Sequence, residues 1–179
     1  MGVLGGMQLK TAGAVCVLTA CIGYAASLTE RQKYHRDVLL SLIQILELLA
    51  GEIRYERLTM AEVFRNMDKK YHGPAGETMR HIADRLVSSE YENLENVWSS
   101  AFRKDKKVLM LSEEELDILL DTGKNLGYLD VEAQMNHLYH CRQRLEQKLQ
   151  EAQKSLDEKK RLYRYLAVAA GVMVILVLL

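Results

Sequence analysis

Apolar positions between Thr29 and Arg57 recur at steps of three and four: Val38, Leu39, Leu42, Ile43, Leu46, Leu49 and Ile53. That spacing puts them on one stripe of a helix, wide enough to face a core. Thr59 and Glu62 then form a capping box, in which hydroxyl and carboxylate satisfy the free N–H groups of a helix start. It predicts a short second helix to about Lys70, burying Val63, Phe64 and Met67. Gly73-Pro74-Ala75-Gly76 is the strongest turn signal of the chain. A third helix follows it, with Met79, Ile82, Ala83 and Leu86 inward. Ser89 with Glu92 and Ser112 with Glu115 repeat the capping box. The fourth helix carries Leu94, Val97, Trp98 and Phe102, and the fifth Leu116, Leu119 and Leu120. A last helix begins after Gly127 with Asp130 as its N-cap. Its seam of Val131, Met135, Leu138, Cys141, Leu145, Leu149, Ala152 and Leu156 is heptad-like. No Pro or Gly interrupts it before Leu166.

Both ends of the chain break this amphipathic pattern. Thr11 to Leu28 carries no charge, and as a helix it would reach roughly 27 Å, close to the thickness of a bilayer's hydrocarbon core. Leu166 to Leu179 is apolar all round, and Tyr163 and Tyr165 extend it as interfacial aromatics. The expected organisation is a membrane helix in residues 1–28, a helical bundle in 29–163 and a second membrane helix in 164–179, continuous with the last bundle helix. Arg31, Lys33 and Arg36 follow the first span and Lys159, Lys160, Arg161 and Arg164 precede the second. The positive-inside rule therefore sets the middle in the cytoplasm and both termini across the membrane. An alternative stands beside this: Leu18-Thr19-Ala20-Cys21 has the shape of a lipobox, which would anchor the chain through a lipid on Cys21.

Composition narrows the class. With Pro74 the single proline and Lys plus Arg balancing Asp plus Glu at 24 each, the chain reads as all-α, an antiparallel bundle of about six helices. The charge balance gives no global field that favours nucleic acid. Cys16 and Cys21 lie in an apolar stretch and Cys141 in a charged one, so no disulfide framework emerges. The run Arg103-Lys104-Asp105-Lys106-Lys107 reads as a solvated loop or helix end.

Candidate chemistry changes little. Thr122-Gly123-Lys124-Asn125 lacks the earlier glycine and the following Ser or Thr of a phosphate-binding loop. His137 and Cys141 share a helical face at i, i+4, but His35, His72 and His81 come in no ligand-like spacing, so these read as half-buried helix residues and no metal or cofactor is expected. The acidic run Glu113-Glu114-Glu115 fits a first helical turn. No nucleophile, base and orienter converge, which argues against an enzyme.

The order of short motifs carries a resemblance over essentially the whole chain. Gly13-Ala14 lies in the first apolar span, followed by Glu52-Ile53-Arg54-Tyr55, Val97-Trp98, Leu126-Gly127-Tyr128-Leu129-Asp130 with Gln134, and a long charged helix with an apolar tail. This resembles the stage III sporulation protein AB family of endospore-forming Firmicutes. Two features depart from it: Leu58-Thr59-Met60 stands where the family has a Thr-Pro-Leu element, and Met7-Gln8-Leu9-Lys10 has the shape of the family's usual start. That family is in turn similar to the cytoplasmic domain of inner-membrane platform proteins of type II secretion and type IV pilus systems, through a Gly-x-x-x-Gly-x-Leu hairpin, here Gly123, Gly127 and Leu129.

The resemblance implies a non-enzymatic platform in the mother-cell membrane facing the forespore. It would belong to the channel between the two cells and couple a secretion-type ATPase of the same sporulation operon to other channel components. The docking residues it implies are Gly123, Leu126, Gly127, Leu129, Asp130 and Gln134. Homo-oligomerisation remains open, since a tethered coiled coil would offer Leu145, Leu149 and Leu156 to a second copy.

Overall fold

The computed structural model describes residues 30–54, 59–88, 93–124, 126 and 130–178. Among them every regular element is helical: α1 (residues 30–54), α2 (Met60–Lys70), α3 (Pro74–Ser88), α4 (Leu94–Asp105), α5 (Glu113–Lys124) and α6 (Val131–Leu178). The all-α bundle expected from the hydrophobic pattern is the observed one. The chain divides into two compact units, His35–Glu151 and a terminal unit described for residues 30–34 and 152–178.

In the larger unit the predicted stripes are the core. Val38, Leu39, Leu42, Ile43, Leu46, Leu49 and Ile53 of α1 are all buried, and Ile45 joins them. Met79, Ile82 and Ala83 of α3 are buried, while Leu86 is half-buried near the helix end. Trp98 is the centre: fully buried, it stands 5.8 Å from the Phe64 ring and 4.8 Å from the Phe102 ring, both tilted against it. Its indole Nε1 donates to the Leu119 carbonyl at 2.7 Å, so the polar tip of the ring is satisfied inside the core.

Local signals set most helix starts. At α2, Thr59 N–H donates to Glu62 Oε2 at 3.0 Å and Glu62 N–H to Thr59 Oγ1 at 3.4 Å, completing the capping box. Helix α3 begins at Pro74, inside the predicted turn, because proline's fixed φ suits a first helical position and its missing N–H would have no partner there. The turn is made by Gly73 at φ +102°, whose carbonyl accepts the Glu77 N–H at 3.0 Å. Helix α4 takes Asn93 as its N-cap, the side chain accepting the Glu95 N–H at 3.1 Å; the Ser89 box lies outside the described residues.

At α5 the Ser112 box forms, with the Ser112 N–H on Glu115 Oε2 at 2.8 Å and the Glu115 N–H on Ser112 Oγ at 3.2 Å. Glu115 does more than cap. It is 3% exposed, and the same Oε2 meets His35 Nε2 of α1 at 3.0 Å, tying α1 to α5. Burial alone would push this carboxyl up, but the His35 bond and the Ser112 bonds outweigh it and hold it below the usual carboxylate value.

A carboxyl depressed in the folded state adds stability above its unfolded value, about pH 4.3, and that stability is lost as pH falls through the lower folded value. Thermal unfolding of the full chain should therefore fall off on acidification in that window. Glu115→Gln should lower the melting temperature at neutral pH and flatten the acid decline. Parallel acid profiles for both proteins would sink the assignment.

The charge run has a similar hidden member. Asp105 closes α4 and is mostly buried, accepting from Thr78 Oγ1 at 2.9 Å and lying 3.2 Å from His81 Nδ1, both on α3. Its basic neighbours Arg103 and Lys104 stay exposed. Lys106 pairs with Glu113 across the turn into α5.

Candidate docking surface

The residues implied as a docking site fall at the α5–α6 corner, and the structure sorts them by depth. Gly123 lies in the last turn of α5 and is buried, with the Trp98 ring lying over the space a side chain would fill. Leu126 is buried and its N–H donates to the Gly123 carbonyl at 3.3 Å. Asp130 is exposed, and its carbonyl accepts the Gln134 N–H at 2.9 Å, the first bond of α6, as expected of an N-cap. Gln134 is buried. Gly127 and Leu129, and with them the φ expected of Gly127, lie outside the described residues. Within the described part, Asp130 is the docking candidate that faces solvent, and Gly123 acts by letting α4 approach α5.

Sequence reasoning passed over the surface beside this corner. A groove of about 500 Å³ is lined by Glu95, Arg103, Asp117, Asp121, Lys124 and Arg144, among others, from α4, α5 and α6. Asp117 and Arg144 also line a second hollow of about 240 Å³ with Glu114 and Lys148. Acids and bases line both, so the surface suits a partner carrying both signs better than a single anionic ligand. Arg144 Nη1 stands 3.5 Å from Asp121 Oδ2, and Lys148 reaches Glu114 and, at 3.1 Å, Glu151. The Arg144–Asp121 and Lys148–Glu114 ties across α5 and α6 could not be read from either helix alone, since their partners are more than twenty residues apart.

Below the groove, α6 meets α5 through His137, whose Nε2 is 3.1 Å from the Asp121 carbonyl oxygen. Cys141, one turn further on, is 1% exposed, with Sγ 3.6 Å from His137 Nε2. Burial pushes its thiol up and the Asp121 carboxylate adds to this, while the Thr122 hydroxyl and Arg144 oppose it. The sequence singled out His137 and Cys141 but not Asp121, which the packing of α5 on α6 supplies.

The predicted seam of α6 is buried at Leu138, Cys141, Leu145 and Leu156 and half-buried at Val131, Met135, Leu149 and Ala152. The helix continues without a break to Leu178. Past the seam, Lys159 and Arg161 are exposed, and the Arg161 guanidinium lies over the Tyr165 ring at 6.0 Å. Leu162, Tyr165 and Leu166 are more than half exposed, an apolar surface directly after the basic cluster. Nothing is described of the side chains of Lys160, Tyr163 and Arg164. Among the described residues no helix is long and apolar enough to cross a membrane: from Leu166 to Leu178 the helix rises only about 20 Å. The first predicted span, with Cys21, lies outside the described residues.

Comparison with known proteins brings the corner into a family frame. The family profile described as stage III sporulation protein AB matches residues 10–179. A protein of that name from Bacillus subtilis (strain 168) is 24% identical over 176 residues, spanning 96% of this chain and all of the relative. A solved structure of a stage III sporulation protein AB superposes with a TM-score of 0.66 at 20% identity, covering 69% of this chain and 97% of the other. That structural likeness speaks for the fold.

Proposed function

Because the chain belongs to the stage III sporulation protein AB family, it has a role in the sporulation apparatus, and we propose that this role is that of a non-enzymatic membrane platform. In this reading the apolar ends hold the chain in the mother-cell membrane facing the forespore, with the bundle in the cytoplasm. The mixed-charge groove of α4, α5 and α6 docks the secretion-type ATPase of the same operon and so links it to the channel between the two cells.

The observation that carries the proposal is the single helix Val131–Leu178. Its first half closes the bundle through Leu138, Cys141 and Leu145, and its last part is apolar behind the basic residues Lys159, Lys160, Arg161 and Arg164. The helix therefore belongs both to the docking corner and to the apolar tail, which is what a platform tethered at the membrane calls for. A self-associating coiled coil through Leu145, Leu149 and Leu156 fits less well, because Leu145 and Leu156 are buried and Leu149 is half-buried.

Capture of the purified ATPase by the detergent-solubilised full chain tests the docking. Reversing Lys124 and Arg144 together to Glu is expected to weaken capture by about tenfold, roughly 1.4 kcal/mol. Absence of capture by the unaltered chain, or capture indifferent to the reversal, overturns it. For the topology, changing Lys159, Lys160, Arg161 and Arg164 to Gln should alter protease accessibility of the bundle in spheroplasts; unchanged accessibility would remove these residues as its determinant.

A further inference from the structure

The ligand-capable atoms of Asp121, His137 and Cys141 lie within 4.8 Å of one another. They come from two helices: Asp121 from α5, His137 and Cys141 from successive turns of α6. From this cluster we infer that Asp121, His137 and Cys141 form a binding site for a thiophilic divalent cation of the zinc type, which fastens α6 to α5 beside the docking groove.

The separation of the two donors on α6 suits such an ion. Tetrahedral zinc with bonds of about 2.3 Å to sulfur and about 2.0 Å to nitrogen sets those two donors roughly 3.5 Å apart. The separation of Cys141 Sγ from His137 Nε2 is 3.6 Å without any movement. A one-turn spacing on a helix makes that pair rigid, since both residues share a face. The donor set is equally selective: thiolate and imidazole prefer zinc-like ions, whereas magnesium and calcium want oxygen alone.

Charge and surroundings also fit. One thiolate and one carboxylate neutralise a dication, which makes a half-buried site tolerable. The Cys141 thiol, protonated because burial pushes it up, surrenders its proton to the solvent as the metal–sulfur bond forms. At His137 the imidazole proton moves from Nε2 to Nδ1, and Nε2 exchanges its contact with the Asp121 carbonyl for the metal. Arg144 beside the Asp121 carboxylate and Thr122 beside the thiol are positioning groups for the two anionic ligands. Asp121 lines the groove, so the fourth coordination position is reachable by water from solvent. The role is mechanical: the ion fixes the register of α6 on α5, and no reaction is assigned to it.

The test uses the full chain in detergent with Cys16→Ser and Cys21→Ser, which leaves Cys141 as its remaining thiol, titrated with cobalt(II). Saturation at one cobalt per chain is expected, with a near-ultraviolet thiolate-to-cobalt charge-transfer band and visible bands of four-coordinate intensity that zinc abolishes. Cys141→Ala should remove the charge-transfer band. Asp121→Asn and His137→Gln should each weaken cobalt binding by at least roughly tenfold. Asp121→Asn alters a half-exposed residue, so its unfolding transition should stay close to that of the parent and its loss of cobalt can be read as loss of a ligand. No charge-transfer band in the parent, or a band that persists at parental affinity in both Asp121→Asn and His137→Gln, overturns the site.

Discussion

Gly123→Ala is expected to destabilise the bundle by about 3 kcal/mol, at the upper end of what overpacking a core costs. A Cβ at this position would press on Trp98 Cδ1 closer than real Cβ contacts come, and would stand 2.9 Å from Cγ. Relief would require the indole to move. It has nowhere to go: Trp98 is fully buried, flanked by Phe64 and Phe102, and fastened through Nε1 to the Leu119 carbonyl at 2.7 Å. Any rotation that frees the alanine methyl breaks that bond and leaves a buried donor unpaired.

The loss should appear as a melting temperature lowered by roughly 10 °C. A red shift of the fluorescence of the chain's single tryptophan should accompany it. Adding Trp98→Phe, a smaller ring without the Nε1 anchor on the Leu119 carbonyl and so freer to shift, should make the double change milder than the sum of the two single ones. An alanine variant within about 0.5 kcal/mol of the parent, with unaltered fluorescence, would show that α4 and α5 are not in the close approach described.

The same residue shows what can be read from sequence and what cannot. Gly123 stands out in a Gly-x-x-x-Gly-x-Leu pattern, but a glycine spacing does not say whether the missing side chain admits a partner or a neighbour of the same fold. Trp98, twenty-five positions earlier, decides it. By contrast, the Thr59–Glu62 and Ser112–Glu115 boxes need only three residues of separation, and both form as the sequence predicts. The core stripes of α1, α2 and α6 were legible for a related reason: a helix's inward face is written in its own period.

What lies across helices was not legible. Glu115 reads as one more acid in a first turn until His35, eighty residues away, is found against it. Asp105 is hidden in a run of charges, yet it joins α3 to α4. Asp121, between two leucines and a threonine, carries no local mark of its nearness to His137 and Cys141. In each case the sequence supplied the residue type, and tertiary packing supplied the partner.

A larger effect is expected at Gly76, where alanine should cost about 4 kcal/mol or more, among the most severe single changes a small core records. Here the obstacle is backbone. A Cβ would run into the Tyr71 carbonyl oxygen and stand 3.0 Å from the Tyr71 carbonyl carbon and 3.4 Å from the Asp68 carbonyl oxygen. Tyr71 is held at the end of α2 by its own N–H on the Met67 carbonyl at 2.8 Å, and its hydroxyl donates to the Gln44 carbonyl of α1 at 3.4 Å. The methyl can be admitted only by swinging α3 away from α2, which uncovers Met79 and Ile82 together with Phe64. Two neighbouring glycines calibrate the measurement. Gly73 has open space around it but sits at φ +102°, so alanine there should cost only about 1–2 kcal/mol of backbone strain. Gly51, within α1 and with nothing inside 4 Å of a new methyl, should instead gain about 0.5–1 kcal/mol as alanine. Denaturant unfolding of the three variants should therefore rank Gly51→Ala above the parent, Gly73→Ala below it and Gly76→Ala far below both. A Gly76→Ala protein as stable as the Gly73→Ala protein would mean that the first turn of α3 does not rest on the end of α2.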